Sequence, residues 1–226
     1  MEQKNGWRQA FQDTLPVMAG YVVLGMGFGI LLRSRGYGLW WALAMSVFIY
    51  AGSMQYVGVG LLASGAGVLT TAVTTLLVNA RHFLYGISML DRYRAAGRKR
   101  PYLIFALTDE TYSLVCADRG RDAASCFRVS LLDQCYWVSG TLLGSLAGAL
   151  LRFNTEGIDF SLTALFITVF LEQWLTEENH APALIGLGVS VLCLLIFGPD
   201  GFLLPSMAGI VALLLFTMRK GAGDHA

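Results

Sequence analysis

Long apolar runs recur along the whole chain and constrain its fold more than any other feature. They cover eight stretches, which are 16–32, 39–63, 66–90, 101–117, 129–151, 161–176, 182–197 and 202–218. Several approach or exceed the roughly 18 apolar residues that a helix needs to cross a bilayer core. Of the 226 residues, 55% are hydrophobic and 14% are charged, whereas soluble domains carry about a quarter charged residues. The sequence therefore predicts an all-α fold, a polytopic integral membrane helix bundle with seven to eight hydrophobic segments.

The flanks of these runs predict how the chain sits in the bilayer. Residues 1–15 place large apolar side chains at steps of four, which predicts a short interfacial helix that ends at Pro16. The basic stretch 91–100 follows an apolar run directly, so the positive-inside rule predicts a cytoplasmic loop and not a nucleic-acid-binding segment. The distribution of Lys and Arg favours seven effective crossings, in which 101–117 does not cross fully and the N-terminus lies outside.

Two glycine series predict close helix packing. Gly25 and Gly29 share one face of the first run, and Gly140, Gly144 and Gly148 share one face of the fifth. For the first pair we favour packing over a bendable segment beside a substrate path. For the second series we favour a contact between helices of this chain over an interface with a partner subunit.

The most unusual polar residues lie inside the run 66–90, which is long enough to cross the bilayer as one helix. It contains Asn79, Arg81 and His82. An arginine at the centre of a spanning helix costs about 2.5–3.5 kcal/mol on insertion scales. Such a residue therefore needs a partner or a function.

Polar residues also interrupt the run 39–63, which contains Gly52, Ser53 and Gln55. Gly and Ser are poor helix formers, and Gln is a polar group at membrane depth. One interpretation is a continuous helix with a polar face. The other is a broken helix whose exposed backbone N–H groups face a ligand anion, as in many secondary transporters. The sequence does not choose between them.

Three of these polar stretches resemble the sequence boxes of one known family. Residues 50–56, YAGSMQY, are similar to the F-A-G-S-x-Q-F box of the AzlC family of branched-chain amino acid permeases. Residues 79–86, NARHFLYG, resemble its N-x-R-H-x-L-Y-G box, and residues 108–112, TDETY, resemble its T-D-E-x-[FY] box. The boxes occur in the family's order. Three residues depart from the first box: Tyr50 and Tyr56, where the family usually has Phe, and Met54, where it usually has a small residue. The departure at Met54 bears on the particular substrate.

The resemblance implies the large subunit of an exporter for valine, leucine and isoleucine in a bacterial inner membrane. It also implies a small hydrophobic AzlD-type membrane subunit as partner. Residues 1–226 would then form a single transmembrane transporter domain, with no metal or cofactor. A non-transporting scaffold or sensor subunit is the alternative. An intramembrane enzyme is disfavoured, because the chain contains neither His-Glu-x-x-His nor Gly-x-Ser-x-Gly.

A zwitterionic amino acid needs a donor for its carboxylate, an acceptor for its ammonium group and an apolar pocket for its side chain. The residues predicted to bind substrate are Arg81, Asn79, Gly52, Ser53, Gln55, Asp109, Glu110 and Tyr112. His82 and Asp133 are predicted to couple transport to protons. Two alternatives stay open at this point. Arg81 contacts the substrate or pairs permanently with a carboxylate, and His82 carries a proton or is a satisfied core histidine.

Overall fold

The computed structural model describes residues 2–117, 120–150, 160, 163–164, 167, 170–171, 174–175 and 179–223. These residues form helices and short links, and no strand occurs among them, which confirms the all-α prediction. They group into two compact units, residues 1–162 and 163–226. A membrane bundle need not divide into domains along such a boundary, so the single transporter domain stays a prediction.

The first unit contains eight α-helices and a 3₁₀ helix among its described residues. They are α1 (Glu2–Ser34), α2 (Leu39–Phe48), α3 (Gly52–Ala63), α4 (Val68–Val78), α5 (Ala80–Ser88), the 3₁₀ helix (Arg92–Lys99), α6 (Arg100–Phe105), α7 (Asp109–Ala117) and α8 (Ala123–Leu150). In the second unit α9 (Ala181–Gly201) packs against α10 (Leu203–Gly223). Most of the predicted segment 161–176 lies outside the described residues.

The apolar runs fold as helices of two kinds. Among the described helices, Gly6–Ser34 and Ala181–Gly198 are long and apolar enough to cross a membrane alone. Leu39–Phe48 and Val68–Val78 are also apolar, but at 1.5 Å per residue each is only about 15–17 Å long. That is half of a bilayer core of about 30 Å. These runs can therefore span only as consecutive half-helices.

The predicted helix end at Pro16 is wrong, because α1 continues through this residue to Ser34. Contacts with α8 lie on both sides of the proline. Before it, the Thr14 hydroxyl lies 3.1 Å from that of Tyr136, and after it Gly25 meets the backbone of Trp137. Proline removes one backbone hydrogen bond, whereas packing along a partner supplies most of a helix's stability.

The centre of the first unit is the contact between α1 and α8, which we call the α1–α8 seam and define by Gly25 and Gly29 against Gly140 and Gly144. A β-carbon on Gly29 would lie 2.2 Å from the carbonyl oxygen of Thr141, and one on Gly144 would lie 2.1 Å from that of Met26. Real β-carbons do not approach other atoms this closely. The structure thus confirms close packing within the chain for both glycine series.

Candidate functional site

A helix break precedes the first polar box. Helix α2 ends at Phe48 and α3 begins at Gly52, and between them Tyr50 adopts a left-handed conformation with φ of 43°. Ala51 then takes an extended conformation. A non-glycine residue with positive φ is uncommon and carries backbone strain. The break in 39–63 is therefore confirmed and the continuous helix is wrong, whereas backbone N–H groups that face a ligand anion stay a prediction.

The second box also begins at a break. Asn79 leaves the helical region (φ −94°, ψ 6°), so α4 ends at Val78 and α5 begins at Ala80. The predicted single helix over 66–90 is wrong. Asparagine is a weak helix former, so an interruption at this position agrees with its intrinsic preference.

The third box lies where α6 gives way to α7. The Thr108 hydroxyl accepts a hydrogen bond of 3.3 Å from the backbone N–H of Thr111, in the manner of a helix N-cap. Asp109 and Glu110 then occupy the first turn of α7. The positive end of the helix dipole favours carboxylates at this position. Residues 101–117 thus form two short helices, and their incomplete crossing of the membrane stays a prediction.

The three breaks bring one residue from each box to a common point. Arg81 Nη1 lies 2.6 Å from Asp109 Oδ2, and Arg81 Nη2 donates a hydrogen bond to the Ser53 hydroxyl. The Tyr85 hydroxyl donates to Asp109 Oδ1 at 2.9 Å. We call Ser53, Arg81, Tyr85 and Asp109 the Arg81 site. The side chains of Arg81 and Asp109 are 32% and 29% exposed, so a ligand can reach the ion pair.

Polar atoms around this ion pair lack hydrogen-bond partners among the described residues. They are Asn79 Oδ1, Arg81 Nε and His82 Nδ1. Buried polar groups in folded proteins are almost always paired, so a concentration of unpaired ones in four consecutive residues needs an explanation. Together they offer an acceptor, a donor and a ring nitrogen. This set of groups suits a small polar ligand.

Tyr112 belongs to the surroundings of the Arg81 site. Its ring stacks on that of Tyr85 with centroids 4.3 Å apart, and its hydroxyl accepts a hydrogen bond from Ser88 at 3.1 Å. Tyr112 therefore supports the tyrosine that holds Asp109. A direct contact between Tyr112 and substrate stays a prediction.

The other two predicted residues of the first box face the interior. Gln55 is fully buried, donating to the Ser46 hydroxyl at 3.1 Å and accepting from Trp137 Nε1 at 2.9 Å. A β-carbon on Gly52 would lie 3.0 Å from the Trp137 ring. Both residues thus contact Trp137 of α8, and the structure does not bring the Gln55 amide into the Arg81 site.

The remaining carboxylates form a separate network. Glu110 accepts a hydrogen bond of 2.6 Å from the Tyr21 hydroxyl, and Asp133 accepts one of 2.7 Å from Thr111. His82 belongs to the second box and not to this network. Its ring packs edge-on against that of Tyr85, with centroids 5.9 Å apart. Proton coupling by His82 and Asp133 is untested by this geometry. Sequence reasoning missed Tyr21, because a single tyrosine in a glycine-rich apolar run gives no signal of its partner.

An apolar cavity of about 420 Å³ lies beside α3. Its walls include Trp41 and Met45 of α2 and Met54 and Gly58 of α3. Met54 is the residue at which the first box departs from the family pattern. Helix α3 therefore contributes Ser53 to the Arg81 site and the adjacent Met54 to an apolar wall.

The family profile described as AzlC protein matches residues 16–151. This chain belongs to the AzlC family. It is 43% identical over 221 residues to the "Branched-chain amino acid transport protein AzlC" of Bacillus subtilis, covering 95% of this chain and 85% of that protein. It is 42% identical to an "Uncharacterized membrane protein" of Helicobacter pylori (93% and 94% covered) and 26% identical to the "Inner membrane protein YgaZ" of Escherichia coli (95% and 92%). No solved structure matches the chain.

All three boxes fall inside the matched range, so the resemblance predicted from them is confirmed. The relatives are named membrane proteins, one of them an inner membrane protein, and the long apolar helices of the described residues agree with these names, so the predicted membrane location is confirmed. The coarse functional prediction, membrane transport, is confirmed at the level of the family.

Proposed function

We propose that this AzlC family member exports the branched-chain amino acids valine, leucine and isoleucine, as the large subunit of a two-component secondary transporter. The observation that carries the proposal is the meeting of Ser53, Arg81 and Asp109 at the starts of three broken helices. The relative named as a branched-chain amino acid transport protein supports the substrate class. The proposed partner is a small hydrophobic AzlD-type membrane subunit.

The Arg81–Asp109 pair matches the charges of an amino acid. A zwitterion presents a carboxylate to Arg81 and an ammonium group to Asp109, so it replaces each partner's counter-charge when the pair opens. No charge is then left unpaired. An unpaired charge would be costly in this environment. The Arg81 guanidinium also suits a carboxylate because its planar donors bind two oxygens at once. Asn79 Oδ1 supplies a further acceptor for the ammonium group.

The substrate's side chain requires an apolar surface next to this polar point. We propose that the cavity of about 420 Å³ beside α3 receives this side chain, because Met54 on its wall directly follows Ser53 of the Arg81 site in the chain. A branched aliphatic side chain fits such a surface, whereas a charged one would lose its hydration without gaining a partner. Met54 thus limits the size of the substrate's side chain.

The helix breaks supply the movement that transport needs. Half-helices that meet at a binding site are a recurring element of secondary transporters, in which one part rocks or gates against another. Tyr50 and Asn79 are the residues whose backbone departs from helical geometry at two of the breaks. Small changes at these two positions would tilt α3 and α5, and would open the Arg81–Asp109 pair to either side in turn.

The test is an efflux measurement in cells that lack their own exporters. The cells are loaded with a valine- or leucine-containing dipeptide and express the chain alone or with a candidate small partner. We expect faster release of the free amino acid, with Arg81→Gln abolishing it while the amount of folded protein is retained. Arg94→Gln is the matched control, because Arg94 pairs with Asp91 at an exposed position, and this substitution should leave efflux unchanged.

The outcomes separate the proposal from its alternatives. Release only in the presence of the small partner supports the two-component transporter. Unchanged efflux under both conditions, together with failure of a broad amino acid panel, overturns the exporter proposal. A stable complex with the partner but without flux would then identify a scaffold or sensor subunit.

A further inference from the structure

A chain of five hydrogen-bonded oxygens connects two carboxyl groups inside the first unit. Its successive O···O distances are 2.6 Å (Glu110 to Tyr21), 2.5 Å (Tyr21 to Thr108), 3.0 Å (Thr108 to Thr111) and 2.7 Å (Thr111 to Asp133). All four distances are within ordinary hydrogen-bond range. We call the side chains of Tyr21, Thr108 and Thr111 the hydroxyl chain. It joins α1, the start of α7 and α8.

The hydroxyl chain is closed at one end and accessible at the other. Asp133, Thr111, Thr108 and Tyr21 are between 0% and 7% exposed. Glu110 is only half-buried and follows Asp109 of the Arg81 site directly in the chain. A proton can therefore enter or leave at Glu110, whereas Asp133 is shielded within the bundle.

Counting hydrogens limits the charge state of the two carboxyl groups. Four O···O contacts require four hydrogens, one in each gap, and the three hydroxyls supply three. If both carboxylates were ionised, two oxygens would face each other with no hydrogen between them. The N–H of Thr111 also reaches Thr108 Oγ1, at 3.3 Å, but it fills none of the four gaps. One carboxylic acid proton completes the chain.

We propose that Glu110 and Asp133 hold one proton between them and exchange it through the hydroxyl chain. When Glu110 carries the proton, its O–H donates to Tyr21 and the donations run in sequence to the Asp133 carboxylate. Transfer breaks the O–H bond of Glu110 and forms one on Asp133, while each hydroxyl passes its hydrogen on and receives another. The hydroxyls end with one hydrogen each, pointing the other way.

The surroundings of both carboxyl groups agree with a shared proton. Glu110 is faced by Tyr21, Asp109 and Arg81, and Asp133 is faced by Tyr50, Tyr102, Glu110 and Arg121. The two cations already have carboxylates of their own, because Arg81 pairs with Asp109 and Arg121 lies 2.8 Å from Asp13. Asp133 Oδ1 has no hydrogen-bond partner among the described residues. A permanent full charge on fully buried Asp133 would thus be poorly compensated.

A role of the shared proton as the coupling ion of transport rests on the proposed function, whereas the proton pair does not. The pair itself is testable in the purified full-length chain in lipid vesicles, by infrared spectroscopy with ¹³C-labelled Asp and Glu. At neutral pH we expect the C=O stretch of one protonated carboxyl group from this pair. Both Glu110→Gln and Asp133→Asn should abolish that band, because the introduced amide N–H supplies the fourth hydrogen and leaves the other carboxylate ionised.

Cutting the hydroxyl chain provides the second, independent measurement. In Tyr21→Phe, Glu110 loses its donor and keeps a proton of its own, so adding Asp133→Asn should no longer remove the band. If Tyr21→Phe does not fold, Thr111→Val serves the same purpose. In this variant Asp133 loses its donor and keeps the proton, so the band of protonated Asp133 should survive Glu110→Gln. Asp91→Asn is the control and should leave the spectrum of the protonated group unchanged, since Asp91 is exposed and pairs with Arg94.

Three results would overturn the shared proton. They are the absence of a protonated carboxyl band that responds to either substitution, two bands that the two amide substitutions remove separately, and loss of the band in Tyr21→Phe/Asp133→Asn. None of them depends on efflux. A spectrum as expected without any amino acid release would therefore count against the exporter proposal and not against the proton pair.

Discussion

The α1–α8 seam and the Arg81 site belong to the same unit, but opposite features hold them together. In the seam two uninterrupted helices approach until their backbones touch, and only glycine leaves room for that contact. In the Arg81 site the helices are broken, the ion pair is about a third exposed, and nearby polar atoms lack partners among the described residues.

This difference separates the residues that pack the helices together from those whose polar groups are available to a ligand. Small residues let membrane helices pack closely without any ligand, and substitutions there act on folding. Unpaired buried polar groups beside a break cost stability, and a ligand that pairs with them accounts for their presence. We therefore expect seam variants to change the amount of folded protein, and Arg81-site variants to change transport.

The largest effect is expected in the seam. Gly29→Ala places a β-carbon 2.2 Å from a backbone oxygen of α8, which forces the helices apart. Overpacking of this kind lowers the free energy of unfolding by about 1–3 kcal/mol, occasionally more. Gly20→Ala is the matched control in the same helix, since no heavy atom lies within 4 Å of its β-carbon. Size-exclusion profiles and thermal unfolding in detergent compare the two, and equal stability would refute the seam.

In the Arg81 site we expect transport to be lost more readily than folding. Arg81→Gln and Asp109→Asn each leave one charge unpaired, and the double variant leaves none. A hydrogen bond to a charged group contributes about 1.5–3 kcal/mol, and about 1.4 kcal/mol corresponds to tenfold, so efflux should fall at least about tenfold in all three variants. The thermal stability of the double variant should recover relative to both single variants.

The double variant is the decisive member of this set. Stability that recovers while efflux stays lost places Arg81 and Asp109 in substrate binding. Efflux that recovers together with stability would show that the ion pair has only a structural role, which is the alternative left open by the sequence.

Gln55 tests whether the substrate site extends beyond the Arg81 site into the packed interior of the first unit. It was predicted to bind substrate, yet both ends of its amide are bonded inside the bundle. Gln55→Leu leaves the indole N–H of Trp137 without this acceptor and should lower the free energy of unfolding by about 1–3 kcal/mol. The apparent KM of efflux should stay the same once rates are scaled to folded protein. A changed KM would return Gln55 to the substrate site. Ser46→Ala removes the contact with Gln55 and the hydrogen bond of 3.0 Å that Ser46 donates to Thr141, so it should likewise lower stability and leave the apparent KM unchanged.

Local sequence signals predicted those parts of the fold whose physical cause is local. The three boxes identified Arg81 and Asp109, and glycine spacing identified the seam, because both depend on residue type at a fixed spacing. Two of the failed predictions concern packing between distant segments. Pro16 does not end α1, because α8 holds the helix on both sides of it. Tyr21 could not be assigned to Glu110, because 89 residues separate them in the chain.

The smallest predicted effects distinguish two neighbouring tyrosines at the edge of the Arg81 site. Tyr85→Phe removes a hydrogen bond of 2.9 Å to Asp109, whereas Tyr112→Phe removes only a contact of 3.1 Å with exposed Ser88. Both variants keep the ring stack at 4.3 Å. Solvent screening at this partly exposed carboxylate reduces the Tyr85 bond to about 0.5–1.5 kcal/mol, the value of a typical hydrogen bond, so Tyr85→Phe should slow efflux severalfold and Tyr112→Phe less than twofold. If the order is reversed, the Tyr112 hydroxyl contacts the substrate directly, as the sequence predicted, and the Arg81 site extends beyond the stacked rings.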